Sequence, residues 1–450
     1  MTTFSLTRES LDGTFAKLRE SNAAFAARYP GESGRRQPVH TVYGGGHLFK
    51  AETPAKLGQL ALKSLETFAP SAASFAQALG VSASPEIIER VHHRVVEKLG
   101  REPIEDFRID FEDGYGNRPD AEEDGHAAQA ASEVAKAMAA GTQPPFLGIR
   151  VKPFTEELHE RSVRTLDAFV STLWKQAGAV PSGFVVTLPK VTTPEQVALF
   201  AEVLGQLEAS LSMPAGTLRC ELMIETTQAI FDPDGRVNVP RLVAAAKGRC
   251  VATHFGTYDY TATCSITAAH QAMRHPACDF AKHVMQVSLG GTDVWLSDGA
   301  TTVMPIPPHR PPAGGQLTAA QSAENAAAVH RAWKLAYDNV RHSLVHGYYQ
   351  GWDLHPAQLP VRYAAVYTFF LEGLEPAAYR LANFVKQAAQ ATLHGDVFDD
   401  AATGQGLLNY FLRALACGAL TEDEAISRTG LTLEEIRARS FVAILKNRRG

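Results

Sequence analysis

Cysteine is scarce. The chain has five (Cys220, Cys250, Cys264, Cys278 and Cys417) in 450 residues, an odd number with no C-x-x-C pair. That usage argues against a disulfide framework or a zinc knuckle and suits a reducing cytosol. No uninterrupted apolar run approaches the roughly 18 residues that suggest a membrane span. The opening MTTFSLTRES lacks the basic-then-apolar order of a secretory signal. A cytoplasmic protein with no membrane partner is therefore expected. A large excess of either charge is missing too: 43 Lys and Arg stand against 48 Asp and Glu, a net charge of -5. Such a balance leaves no electrostatic footprint for nucleic acid. The glycine run Gly44-Gly45-Gly46 has neither the Walker nor the dinucleotide spacing, and reads as a flexible turn rather than a phosphate loop.

What the chain does have is an ordinary globular composition, 45% apolar and 20% charged, with enough length for one barrel plus additions or for two domains. Short apolar runs alternate with helical periodicity. The segments carrying strand candidates are HTVYGG from residue 40, FRIDFEDGYG (107–116, strand then turn), FLGIRVKPF (146–154), GFVVTLPKV (183–191), CELMIETTQAI from 220, CVATHFGTYDY (250–260), TDVWLSDGATTVMP (292–305) and GYYQGWDLHPAQ (347–358). Helical patterns lie between most of them, at 57–79, 86–99, 121–140 and 156–176. Thr193-Pro194-Glu195 opens a further helix with a cap and a first-turn proline. Eight β/α units in one chain point to a closed TIM (β/α)₈ barrel. Residues 1–36 read as a helical lead-in and 37–360 as the barrel, with a long first crossover at 50–106 and an added helical region at 361–450.

Cys220–Phe231, CELMIETTQAIF, is the centre of the reading. A buried strand ends there by presenting Glu225 to a Thr-rich turn. One reading of Glu225 is a carboxylate offsetting the positive end of a following helix. The other is a metal or catalytic carboxylate at the C-terminal mouth of a barrel, where such enzymes keep their chemistry. Similar polar clusters close the other strands: Asp110, Glu112 and Asp113; Arg150 and Lys152; Lys190; Tyr258 and Asp259; Ser297 and Asp298; Asp353 and His355. Each has a structural alternative, since Asp113-Gly114 is a common turn pair, Lys190 can snorkel and His355-Pro356 can shape a loop. In a barrel all would converge on one rim. Glu225 and Asp259 on adjacent strands are the minimum protein share of a Mg²⁺ site, because Mg²⁺ keeps waters and borrows substrate oxygens. A nearby arginine suits a substrate carboxylate. Metal and arginine together suit a 2-keto acid.

These segments carry a family resemblance. DFEDGYG resembles the D-[LF]-E-D motif of the citrate lyase β-subunit-like and HpcH/HpaI aldolase superfamily. LGIRVKPF, TLPKVTTPEQV, LMIETTQAI, HFGTYDYTA and GYYQGWDLHPAQL are similar to its later strands, in the family's order over residues 40–360. HFGTYDY and VWLSDGATTVMP are also similar to the related malate synthases. The resemblance implies that Glu225 and Asp259 ligate Mg²⁺ or Mn²⁺ and that Arg150 holds the carboxylate of a pyruvate- or oxaloacetate-like keto acid. It implies contacts to that carboxylate from Gly256 and Thr257, with Lys190 beside them, and ordering of waters by Glu112 and Asp113. A C-terminal aspartate, Asp399 or Asp400 in HGDVFDDAATGQ, would close the site. A homo-oligomer, trimer or dimer of trimers, is implied as well. Val151-Lys152-Pro153 departs from the family's asparagine after the strand-three arginine, and no coenzyme A signature is present. The expected activity is a Mg²⁺-dependent carbon–carbon lyase or aldolase, in which a metal-bound water or a carboxylate, with Glu112, Asp113 and Asp400 as candidates, would move the proton. The alternatives are a condensation or hydrolysis of a CoA thioester on the same metal, and non-catalytic keto-acid binding.

Overall fold

The computed structural model describes residues 5–31, 35–386, 392–394, 397–399, 401–441, 444 and 447–448. Eight parallel strands, β1 (His40–Gly45), β2 (Asp106–Asp110), β3 (Phe146–Arg150), β4 (Phe184–Leu188), β5 (Arg219–Ile224), β6 (Cys250–Phe255), β7 (Trp295–Ala300) and β8 (Gln350–Asp353), close a barrel in chain order. β8 returns to β1 with His40 beside Gly351. All eight strand segments expected from the sequence are present. They were legible because both faces of each strand are covered, which keeps β-formers in short unbroken runs.

Helix α1 (Arg8–Arg28) is a largely exposed lead-in. The long first crossover holds α2 (Thr53–Phe68), α3 (Ala72–Leu79) and α4 (Pro85–Arg101). Periodicity over 57–79 suggested one helix there. Pro70 has no N–H to continue it, and Ser71 starts a new one through a capping box with Ser74. The barrel continues through α5 (Asp120–Ala140), α6 (His159–Ala177), α7 (Pro194–Ser210), α8 (Thr227–Ile230), α9 (Val239–Ala245), α10 (Thr257–Thr263), α11 (Pro276–Leu289) and α12 (Ala319–Val345). α13 (Leu359–Glu372) follows β8 and packs between α12 and α4, so it is buried nearly all round. A two-stranded hairpin, β9 (Thr392–His394) with β10 (Val397–Asp399), joins α14 (Leu374–Lys386) to α15 (Ala401–Ala416). α16 (Glu422–Thr429) and α17 (Leu433–Arg437) follow, each opening on a Thr-x-x-Glu capping box.

Outward strand residues such as Val42, Ile109, Ile149, Val186 and Leu222 form one core with the helices. Burying each is worth about 2 kcal/mol. The lumen is different, because charge fills it where branched apolar layers are usual. Arg108 bonds Asp106 at 2.6 Å and Glu221 at 2.6 and 3.0 Å, and His254 Nε2 lies 3.2 Å from Glu221. Gly148 makes the room, since a Cβ there would stand 2.2 Å from the Val185 carbonyl and 3.0 Å from Arg108 Nη1. This charged network plugs the barrel and forms the floor of what lies above it.

Candidate active site

A cavity of about 370 Å³ opens at the C-terminal ends of the strands, lined by Tyr43, Asp110, Arg150, Glu225, Asp259 and Trp352 among others. A larger cavity, about 890 Å³, lies at the opposite end of the barrel between Phe184, Arg219, Val251 and Trp295. Among the described residues lining that second cavity Asp293 is the single carboxylate, and barrel chemistry belongs to the C-terminal rim.

Glu225 follows β5 and is 1% exposed. Thr226, not Glu225, caps the short helix α8, accepting the Ala229 N–H at 3.1 Å. The Glu225 carboxylate turns toward the cavity and accepts the Lys190 N–H at 2.7 Å. Gly256 permits that position, for a Cβ there would stand 2.3 Å from Glu225 Oε2. Burial, and next the charge of Asp259, push the Glu225 carboxyl up to about 8, with Lys190 opposing them. Asp259 sits in the first turn of α10.

Arg150 closes β3 and is pinned on three sides. Nε and Nη2 donate to Asp110 at 2.7 and 2.6 Å, and Nη1 lies 3.0 Å from Glu112 Oε2. The Tyr43 ring covers the guanidinium at 4.7 Å and Trp352 at 5.9 Å. Two of its five N–H groups are spent on Asp110 and one side of Nη1 faces Glu112, which leaves one N–H each on Nη1 and Nη2 for a ligand carboxylate. Trp352 is itself fixed, its indole N–H donating to His254 Nδ1 at 3.1 Å.

Glu112 and Asp113 sit on the β2–α5 loop and share the Lys190 ammonium. Burial is the largest effect on both carboxyls. It raises Glu112 despite Arg150 and Lys190, whereas at half-exposed Asp113 those two cations outweigh it and lower the carboxyl. Two buried oxygens at the rim, Glu112 Oε2 and Thr257 Oγ1, have no hydrogen-bond partner. The Gly256 N–H is taken by the Ile224 carbonyl at 3.1 Å. Gly256 therefore offers space, and the N–H groups left unpaired are those of the first turn of α10, from Thr257 onward.

Several strand-end residues expected on this rim lie elsewhere. Lys152 is buried against Glu123 at 2.8 Å and the Phe111 carbonyl at 2.7 Å. Asp298 pairs with Lys282 at 3.0 Å and Ser343 at 2.6 Å. Asp353 pairs with Arg362 and with His40, 3.1 Å away. His355 caps the turn after β8 by accepting the Ala357 N–H at 3.1 Å. Asp400 lies outside the described residues. Asp110, named with the second strand's polar cluster, does reach the rim, where it holds Arg150; Tyr43 and Trp352 were not named as site residues from the sequence. The signal for them was position, since each is the inward-facing residue near the end of its strand.

Among the described residues no group of three or more His, Cys, Asp or Glu is arranged to hold a metal on its own. A site made by the protein alone is thus absent among them, but a hydrated Mg²⁺ needs only one or two carboxylates. Glu225 and Asp259 fit that demand: they are hard oxygen donors, and a carboxyl held protonated by burial and by its neighbour's charge is relieved by a cation.

Barrel, floor and acid–arginine rim together define a β/α-barrel protein of the citrate lyase fold. A citrate lyase from Burkholderia xenovorans LB400 superposes with a TM-score of 0.55 at 16% identity, over 88% of this chain and 97% of that one. CitE from Mycobacterium tuberculosis, in complex with magnesium, acetoacetate and coenzyme A, gives 0.48 at 15% identity, over 86% and 100%. A magnesium/glyoxylate complex of Haloferax volcanii malate synthase gives 0.44 at 13%, over 92% and 98%. No curated protein matches the chain. The chain belongs to the family described as Domain of unknown function (DUF6986), whose model matches residues 18–444. None of the described helices is long and apolar enough to cross a membrane.

Proposed function

We propose that this protein is a carbon–carbon lyase or aldolase that acts on a 2-keto acid, or its adduct, with the help of Mg²⁺ or Mn²⁺ held by Glu225 and Asp259. The observation that carries the reading is the meeting of a pinned guanidinium, Arg150, with the Glu225–Asp259 carboxylates in one cavity of about 370 Å³. That volume suits a small keto acid. When bound, the divalent ion supplies a Lewis acid for the oxygen on which enolate charge develops. Arg150 binds the substrate carboxylate through Nη1 and Nη2 and fixes its orientation. Tyr43 and Trp352 hold the guanidinium in place and exclude water from one side. Glu112, buried and raised in pKa, carries the proton to or from the substrate carbon, while Lys190 and Arg150 govern its charge. Asp113, half-exposed, keeps Lys190 in reach of Glu112.

Calorimetric titration with pyruvate, oxaloacetate and glyoxylate, with and without Mg²⁺, tests the reading alongside Glu225→Ala. Mg²⁺-dependent binding that disappears in the variant is expected, followed by retro-aldol turnover of the matching adducts. Keto-acid binding that ignores both the ion and Glu225 would overturn it. Turnover of a thioester alone would assign a condensation or hydrolysis instead, and binding without any turnover a non-catalytic role.

A further inference from the structure

Lys190 is one of six non-glycine residues described with positive φ, at 51°. A side chain in the left-handed region crowds the backbone and persists only where its surroundings hold it there. Here both ends of the residue serve the acidic rim. Its N–H donates to Glu225 Oε1 at 2.7 Å. Its ammonium reaches across the mouth from β4 to bond Glu112 and, at 3.2 Å, Asp113, and it lies 3.6 Å from Asp259 Oδ2. Lys190 thus touches Glu112, Asp113, Asp259 and, through its backbone, Glu225. Arg150 is the other cation facing this group, and its fork is committed to Asp110. The side chain is about 30% exposed, and the ammonium is bound by the carboxylates it reaches.

We propose that Lys190 is a tethered counter-cation that occupies the cation position of the rim and competes with a divalent ion for Asp259, so that the ion is bound more weakly than the carboxylates alone would allow. The proposal rests on reading Glu225 and Asp259 as the ion's ligands. A divalent ion entering beside Asp259 repels the ammonium, which retains Glu112 and Asp113 as partners and withdraws toward them. The tether therefore does two things. It neutralises the rim before the ion arrives, and it moves positive charge toward Glu112, the proposed proton carrier, once the ion is in place. A lysine serving only to hold the β4–α7 loop would do neither.

The test is Mn²⁺ binding to the full-length chain, followed by electron paramagnetic resonance and calorimetry, for the wild type, Lys190→Met, Lys190→Arg and Glu225→Gln. Removing one positive charge within about 4 Å of a ligand is expected to tighten Mn²⁺ binding at least about tenfold in Lys190→Met. Lys190→Arg keeps the charge and should stay near the wild type, and Glu225→Gln should lose binding. The metal-free melting temperature of Lys190→Met should also fall and be restored by Mg²⁺, by a larger shift than Mg²⁺ produces in the wild type. Equal or weaker Mn²⁺ binding by Lys190→Met, with the wild type binding and Glu225→Gln not, overturns the counter-cation and leaves the metal site standing. Absence of Mn²⁺ binding in both the wild type and Lys190→Met overturns the metal site and this inference together.

Discussion

Replacing Glu225 by Gln should make the metal-free protein more stable at alkaline pH, the reverse of what removing a designed ion pair would do. The Glu225 carboxyl is raised from an ordinary 4.5 to about 8, by burial first and by Asp259 second. Below pH 4.5 the group is protonated in both the folded and the unfolded chain, and its favourable contribution is fully present. Between pH 4.5 and 8 the unfolded chain loses this proton while the folded chain keeps it, so stability falls by about 1.4 kcal/mol per pH unit. The loss reaches about 3 kcal/mol at pH 7 and about 5 kcal/mol above pH 8, as upper values for one site. Gln carries no charge at any pH and can still accept the Lys190 N–H, so it removes the slope. For a chain of 450 residues, 3 kcal/mol corresponds to a melting-temperature gain of about 3 °C. The assay is a pair of thermal melts in chelator at pH 5 and pH 8 for wild type and Glu225→Gln, repeated with Mg²⁺. The variant should melt above the wild type at pH 8, the two should converge at pH 5, and Mg²⁺ should raise only the wild type. Parallel pH profiles for the two proteins in chelator would refute the reasoning.

Four further outcomes follow from the same geometry. Arg150→Lys keeps the charge but loses the fork, so keto-acid KM should rise at least about tenfold with circular dichroism unchanged; Arg150→Ala strands buried Asp110 and should cost about 3–5 kcal/mol in urea unfolding. Gly256→Ala places a methyl 2.3 Å from Glu225 Oε2 and should abolish Mg²⁺ binding by calorimetry without unfolding the barrel. Lys152→Met takes from Glu123, 0% exposed, the nearer of its two cations, leaving Arg161 3.5 Å away, and should lower stability by about 1–3 kcal/mol, while the KM for the keto acid stays at the wild-type value.

Lys152 shows where reading from sequence stops. It has the same alternation as Arg150, two residues earlier, yet β3 ends at Arg150 and the chain then turns its ammonium onto Glu123 of α5. Asp298 failed for another reason: it follows Ser297, which lies beside lumen-facing His254 and Gln350, so alternation points Asp298 outward to Lys282 on α11. Asp353 lies one residue past inward-facing Trp352 and so faces Arg362 on α13. In each case the residue type was correct for a site and its direction was not. Direction depends on where a strand ends and on which phase of its alternation faces the lumen, neither of which a run of apolar letters records.

The strands themselves were written locally. Each is a stretch of β-formers closed by Gly, Pro, Asp or Thr, and the burial that stabilises it is a property of those few residues. The alternation with helices then leaves a parallel barrel as the economical closure, and Glu225, Asp259 and Arg150 stand out as charges at strand ends. Which charges meet was decided only in three dimensions. Arg150 takes its fork partner from Asp110, 40 positions away, and Lys190 reaches Glu112 across 78. The filling of the lumen by Arg108, Asp106, Glu221 and His254 likewise exists only once β2, β5 and β6 face one another. Hydrophobic burial is non-directional and short in sequence, so it can be read from a window of residues. Ion pairs and forks are directional and close only at contact distance, so barrel closure and strand register had to place them.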